Sequence, residues 1–207
     1  MTDGKPDDGS ASDTAKQLGA LLDEYECFTD QSIDRNEYAT LKRAVETDVV
    51  PITEADRSFF VLGNYDDEDR LRLVANRLKS VGEPFLLKDL ETFDDSVLGW
   101  TTQFKIMAKR ATHIVALYEN SEGGHEWEAG WLDHRPYREK LTVFKRDYPN
   151  LDREEKPFDG MFAHFVETLK ACGQVYQFEA PEDAPPQEVE RGVETCINDY
   201  KMALLDE

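Results

Sequence analysis

Cysteine is scarce in this chain: Cys27, Cys172 and Cys196 are the only three in 207 residues, and no two stand at CxxC spacing. That excludes a disulfide framework and suits a reducing, cytoplasmic location. Long apolar runs are missing too, and none approaches the ~20 residues that a membrane span needs. The opening MTDGKPDDGSASDT has neither a basic n-region nor an apolar h-region, so no secretory signal peptide is expected. Positive charge is the third shortage. Lys and Arg number 24 against 44 Asp and Glu, a net charge of −20. This argues against a nucleic acid polymer or an anionic membrane as partner. Motifs for cofactors and metals are likewise lacking. Tyr65 and Glu68 break any GxGxxG run from Gly63, there is no P-loop lysine motif, and Ala129 stands where an HExxH motif from His125 would need histidine. No cofactor and no metal are expected.

What is present is enough for a folded domain. Hydrophobic residues make up 40% of the chain and aromatics 11%, too apolar for a wholly disordered acidic protein. The length suits one core domain with appendages. The acids are spread from Asp7-Asp8 through Asp66-Asp67, Asp94-Asp95 and Glu154-Glu155 to Asp206-Glu207, beside 12 Lys and 12 Arg. Dispersed acidity of this kind resembles haloarchaeal proteins, in which strong screening makes dense carboxylates tolerable. The competing reading is an acidic face for a basic partner.

Residues 1–13 read as a disordered tail and 14–50 as a helical N-terminal extension, with Leu18, Leu21, Leu22 and Tyr25 at helical spacing. A second helix is predicted over 34–46, and Pro51 closes the extension. From 58 to 180 the pattern alternates. Predicted strands are 58–62, 84–87, 113–118, 141–144 and 174–178. Predicted helices are 66–80, 96–110, 124–133 and 161–172, and after a proline-rich linker a last helix occupies much of 186–207. Five alternations specify an α/β domain with a parallel sheet. We expect a five-stranded parallel, flavodoxin-like sheet flanked by helices, with extra N- and C-terminal helices. Ligands of such sheets sit beyond the carboxyl ends of the strands, which selects 63–69, 88–95 and 119–128.

The last of these is the richest in chemistry. Glu119-Asn-Ser-Glu122-Gly123-Gly124-His125-Glu126-Trp127-Glu128 puts four carboxylates and two glycines after the best strand. The glycines permit positive φ and close backbone approach, and the helix start offers free N–H groups. Glu128 projects over the turn of Gly124 beside His125. A carboxylate next to tryptophan is partly desolvated, the condition of an acid or nucleophile. The plainer reading is that Glu122 and Glu126 favour a helix N-terminus and that Trp127 and Trp131 are core. Cys172 and Cys196, in predicted helices, read as small core residues.

Residues 59–130 resemble nucleoside 2-deoxyribosyltransferases and their relatives that hydrolyse nucleotide N-glycosidic bonds. Ser58-Phe-Phe-Val-Leu-Gly63-Asn64-Tyr65 looks like that family's first strand and loop, with Asn64 where proline is usual. Ala111-Thr112-His-Ile-Val-Ala-Leu117 looks like its A-D-A-V-V-A strand, with Thr112 where an acid is common. Gly124-His-Glu-Trp-Glu128-Ala-Gly130 looks like its G-T-A-F-E-x-G turn. The resemblance implies Glu128 as nucleophile and Glu122 as an acid contacting ribose or base. TIR-like domains, which cleave the nicotinamide bond of NAD, are similar over the same elements and also imply Glu128. Both chemistries pass through an oxocarbenium-like transition state that a carboxylate stabilises or captures. The expectation is therefore an N-glycosidase or deoxyribosyltransferase-like protein acting on a small nucleoside- or nucleotide-like ligand. Glu128, Tyr65 and Glu122 are the expected catalytic residues, and Gly63, Asn64, Asp66, Gly123, Gly124, His125 and Trp127 the substrate-binding ones. The family's habits imply a homodimer. The rival expectation is a non-catalytic signalling or assembly domain, which the departures at Asn64 and Thr112 favour.

Overall fold

Ser58-Phe-Phe-Val-Leu-Gly63 is apolar on both of its alternating faces, as a strand buried on both sides must be. In the computed structural model it is β1 (Ser58–Gly63), with five of its six residues buried. The structure describes residues 35–90, 99–120, 124–152, 157–158 and 160–205. The tail expected at 1–13 and the helix expected at 14–27 lie outside the described residues. The chain divides into two units, Met1–Glu54 with Leu87–Arg110, and Ala55–Leu86 with Ala111–Glu207.

In the first unit, helix α1 (Arg35–Ala44) runs through a π-helical turn (Val45–Val49) into α2 (Val50–Glu54). Pro51 therefore does not close the extension, as expected from sequence, but sits inside α2. The π turn accounts for this. The Val50 N–H already reaches back five residues to the Val45 carbonyl, so the bonding has slipped by one residue just before proline, which has no N–H to give. Helix α4 (Trp100–Arg110) also belongs to this unit and buries Phe104, Ile106, Met107 and Ala108.

The second unit holds the sheet: β1, β2 (Glu83–Phe85), β3 (His113–Tyr118), β4 (Leu141–Asp147) and β5 (Val175–Glu179), all parallel, in spatial order β2-β1-β3-β4-β5. Its helices are α3 (Glu68–Leu78), α5 (His125–Leu132), α6 (Arg135–Arg138), α7 (Gly160–Ala171) and α8 (Pro186–Leu205). The helix expected from residue 66 begins instead as a 3-10 turn, Tyr65–Asp67, ahead of α3. On one face of the sheet, Phe59, Val61, Val115, Leu117, Phe144 and Phe178 pack with α3 and α8. Residues of opposite parity point the other way, and Tyr118 among them meets Phe162 of α7 and His125 of α5. Cys196 is buried within the α8 packing, whereas Cys172, expected in the core, is exposed beyond the end of α7.

The register of β1 against β3 is locked at the amino ends. The Ser58 N–H donates to Thr112 Oγ1 (2.8 Å), the Thr112 N–H donates to Ser58 Oγ (3.0 Å), and Thr112 Oγ1 donates to the Ser58 carbonyl (3.0 Å). The ladder then runs from Phe59–His113 to Gly63–Leu117. At Gly63 a Cβ would come within 3.0 Å of the Leu117 carbonyl oxygen, so glycine lets the two strands close together at their carboxyl ends.

Two glycines test this packing in opposite directions. A Cβ at Gly192 of α8 would come within 2.7 Å of Phe178 Cγ, whereas one at Gly130 of α5 meets nothing within 4 Å. Overpacking costs about 1–3 kcal/mol and the helix-propensity gain of Ala over Gly is about 1 kcal/mol. Chemical denaturation should show Gly192→Ala less stable than the parent and Gly130→Ala more stable by up to ~1 kcal/mol.

Candidate functional site

The strand order reverses between β1 and β3, and such sheets take their ligands beyond the carboxyl ends at that point. Two consecutive residues leave β3 there in opposite directions. Tyr118 is 1% exposed, with its ring 5.0 Å from Phe162 and 5.6 Å from His125, centroid to centroid. Its hydroxyl has no hydrogen-bond partner among the described residues. Burial, and then the charge of neighbouring Glu128, raise the Tyr118 pKa well above the phenol's usual value. Glu128 is held one turn into α5 by its N–H bond to the Gly124 carbonyl (3.1 Å). Its half-buried carboxyl is pushed up from 4.5 to about 7 by desolvation.

Glu119 turns toward α3. It is 6% exposed, and Arg70 Nε donates to its Oε2 at 2.6 Å. Arg70 also pairs with Asp67, and the Tyr148 hydroxyl donates to the Glu119 backbone carbonyl. Burial raises the Glu119 pKa and the bond and charge of Arg70 pull it back. An ion pair this buried holds only because each charge has a partner.

The residues singled out from sequence are scattered around this point. Asn64 caps the 3-10 turn, its Oδ1 accepting from the Asp66 N–H (3.0 Å), and Asp66 is exposed. Thus Asn64 and Thr112, the two departures from the resembled pattern, each hold backbone in place. Tyr65, expected beside Glu128, packs its ring against the α3–α8 cluster. The tyrosine beside Glu128 is Tyr118, on the other face. Gly124 has φ −86° and open space around it, so neither positive φ nor close approach requires glycine there. His125 is buried among Tyr118, Phe158 and Phe162. Trp127 is 46% exposed, and Trp131 stacks on His134 and meets Tyr137 at a tilt. Glu122 and Gly123 lie outside the described residues.

Sequence reasoning missed Tyr118, Arg70 and Glu119 as a group. Tyr118 was read as one more apolar strand residue. Its parity in β3 and its position as the last strand residue were the available signals. Between α5 and α7 a groove of about 730 Å³ is lined by Glu126, Ala129 and Gly130 of α5, by Asp133 just past its end, and by Phe162 and Phe165. Glu128 is not among its lining residues, so its size does not make it the seat of the carboxylate chemistry.

Fold and site together define a flavodoxin-like α/β protein with ionisable groups gathered at the carboxyl ends of its central strands. Residues 10–191 match the model of a family of unknown function, DUF8170, and the chain belongs to that family. No curated protein matches the chain. Among the described residues no helix is long and apolar enough to cross a membrane.

The Glu128 shift has a stability consequence with a definite sign. Its folded pKa lies above its unfolded one, so between pH 4.5 and about 7 the native state holds more protons and loses stability as pH rises. The full shift corresponds to on the order of 3 kcal/mol. Glu128→Gln should match the parent at pH 4 and exceed it at pH 8 by up to roughly that amount, measured as the difference between the two unfolding free energies across pH.

Proposed function

We propose that this protein cleaves the N-glycosidic bond of a nucleoside- or nucleotide-like substrate, with Glu128 as nucleophile. The observation that carries this reading is the half-buried Glu128 carboxylate, beside Tyr118 and on the helix that follows the central strand, with its pKa near neutrality. Catalytic carboxylates are characteristically shifted in this way by burial. The ionised carboxylate adds to C1′ as the C1′–N bond breaks, and the base leaves with the bonding electrons. Water then attacks C1′ of the glycosyl ester, releasing the sugar and restoring the carboxylate, with the proton passing to solvent. A second base in place of water would make the same reaction a transfer. The fold, the position of Glu128 on the helix after β3, and the resemblance of residues 59–130 to nucleoside 2-deoxyribosyltransferases agree with this chemistry.

An NAD-type substrate is the second reading. It is favoured by the enclosure of His125 among three aromatic rings and by the packing of Tyr65 against the opposite cluster. Two candidate acids for the leaving base are thereby occupied in packing, and nicotinamide departs as a neutral molecule without being protonated. A small ligand of either kind, a cytoplasmic setting, salt adaptation and a homodimer complete the proposal.

The test is incubation of the full chain at high salt with nucleosides, nucleotides and NAD, following free base by chromatography. Release from one of these classes is expected, falling by at least about a thousandfold in Glu128→Gln. Because the ionised form attacks, the rate should rise about tenfold per pH unit below 7 and level off above it. No release from any of them, or equal release by Glu128→Gln, would leave a non-catalytic domain as the reading.

A further inference from the structure

The groove between α5 and α7 has a volume of about 730 Å³, within the range that encloses a drug-sized molecule. On the α5 side, Glu126 and Asp133 stand seven residues apart, about 10 Å along the helix axis, with Ala129 and Gly130 between them. Phe162 and Phe165 of α7 form the facing wall, and Met161 at the rim is 90% exposed. Glycine weakens a helix interior, yet a Cβ at Gly130 would meet nothing within 4 Å. The missing side chain serves no packing within the fold and deepens the groove instead. The two ends differ in what they leave unused. Glu126 is exposed, and no ion pair among the described residues holds its carboxylate. Asp133 is paired with Arg138 Nη2, while Arg138 Nε is buried and has no hydrogen-bond partner among the described residues. The unbalanced charge of this lining is therefore negative, and its unspent hydrogen-bonding group is a donor.

We infer that the groove binds an amphiphilic organic cation, with a protonated amine at Glu126, an apolar body over Gly130 and against Phe162 and Phe165, and a neutral acceptor oxygen on Arg138 Nε. The lining selects this class. A carboxylate or phosphate could accept from Arg138 Nε but would bring like charge against Asp133 and Glu126. A wholly apolar molecule would fill the middle and leave the Arg138 N–H shut from water without an acceptor, which is costly. An amine with no apolar body would stay in solvent, because exposed ion pairs contribute little and salt screens them. The apolar body supplies most of the affinity, and the two polar ends set the orientation. This site is separate from the chemistry at Glu128. Successive helix residues turn about 100°, so Glu128 leaves α5 about 160° round from both Glu126 and Gly130.

Dansylcadaverine carries all three parts, a naphthalene ring, a neutral sulfonyl group and a primary ammonium, and its emission shifts to the blue in apolar surroundings. The matched probe 6-(dansylamino)hexanoate keeps the ring and sulfonyl and ends in a carboxylate. Both are titrated against the full chain at high salt and about pH 8, where imidazoles are uncharged. The amine is expected to bind with a blue shift and at least about threefold more tightly than the carboxylate. Gly130→Leu, whose side chain would occupy the groove, should weaken the amine at least about tenfold. Arg138→Lys keeps a cation for Asp133 but removes the Nε donor, and should weaken it about fivefold. Glu126→Lys should reverse the preference between the probes, and Glu128→Gln should leave both affinities unchanged. Thermal unfolding of each variant is recorded, and if Gly130→Leu does not fold, Glu126→Lys carries the test from an exposed position. Equal affinity for the two probes in both the parent and Glu126→Lys, binding that Gly130→Leu and Arg138→Lys leave intact, or no binding of either probe would overturn the site. If neither probe binds while sedimentation shows a dimer that Gly130→Leu dissociates, the groove belongs to a second copy and the amine site is likewise overturned.

Discussion

The period of two along β3 is the constraint from which the rest follows. This strand lies at the centre of the sheet, paired with β1 and β4, and both of its faces are covered, so its side chains must alternate between two packed layers. Leu117 goes to the α3–α8 layer and Tyr118 to the layer of α5 and α7. The alternation continues one residue past the strand and sends Glu119 back to Arg70 on α3. A one-residue slip would exchange all of these positions. The reciprocal Ser58–Thr112 bonds at the amino ends of β1 and β3 guard against that, and Gly63 keeps the carboxyl ends close.

Two carboxylates at one strand end thus acquire different environments. Glu119 is nearly closed from water and its pKa stands above the usual carboxylate value through burial, although a guanidinium against one oxygen opposes that rise. At Glu128 burial acts without such an offset among the described residues, and its carboxyl rises to about 7. Burial thus acts on both acids, and a neighbouring cation opposes it at Glu119. The −20 charge of the chain has little part in this. Salt screens exposed carboxylates efficiently and buried pairs poorly, so surface acidity can follow the medium while the Arg70–Glu119 pair and the desolvated Glu128 keep their character.

The architecture was legible because it is written in local patterns. Short apolar runs separated by amphipathic stretches announced a parallel α/β sheet, and the glycine-rich turn after the strongest strand drew attention to Glu128. What escaped was non-local. Arg70 carries no local signal, and only folding brings it against Glu119, 49 residues later. Tyr118 was hidden at the end of the apolar run that starts at Ile114, and its role depends on which layer it faces. Tyr65 was paired with Glu128 on the proximity of strand ends alone, without weighing the faces to which each turns. Pro51 looked like a terminator because helix geometry forbids it, and a π turn one step earlier removed the objection. Gly124 shows the opposite error, a glycine whose special conformation is not used.

The most direct measurement of Glu128 as nucleophile is to trap its covalent intermediate. A nucleoside or nucleotide carrying 2-fluoro-2-deoxyribose slows breakdown of a glycosyl ester by destabilising the second oxocarbenium-like transition state. Mass spectrometry of the chain after such treatment is predicted to show one added fluorosugar. Peptide fragmentation should place it on Glu128, with loss of the adduct in Glu128→Gln. An adduct on a different residue, or base release from the substrate with no adduct on Glu128, would contradict the assignment.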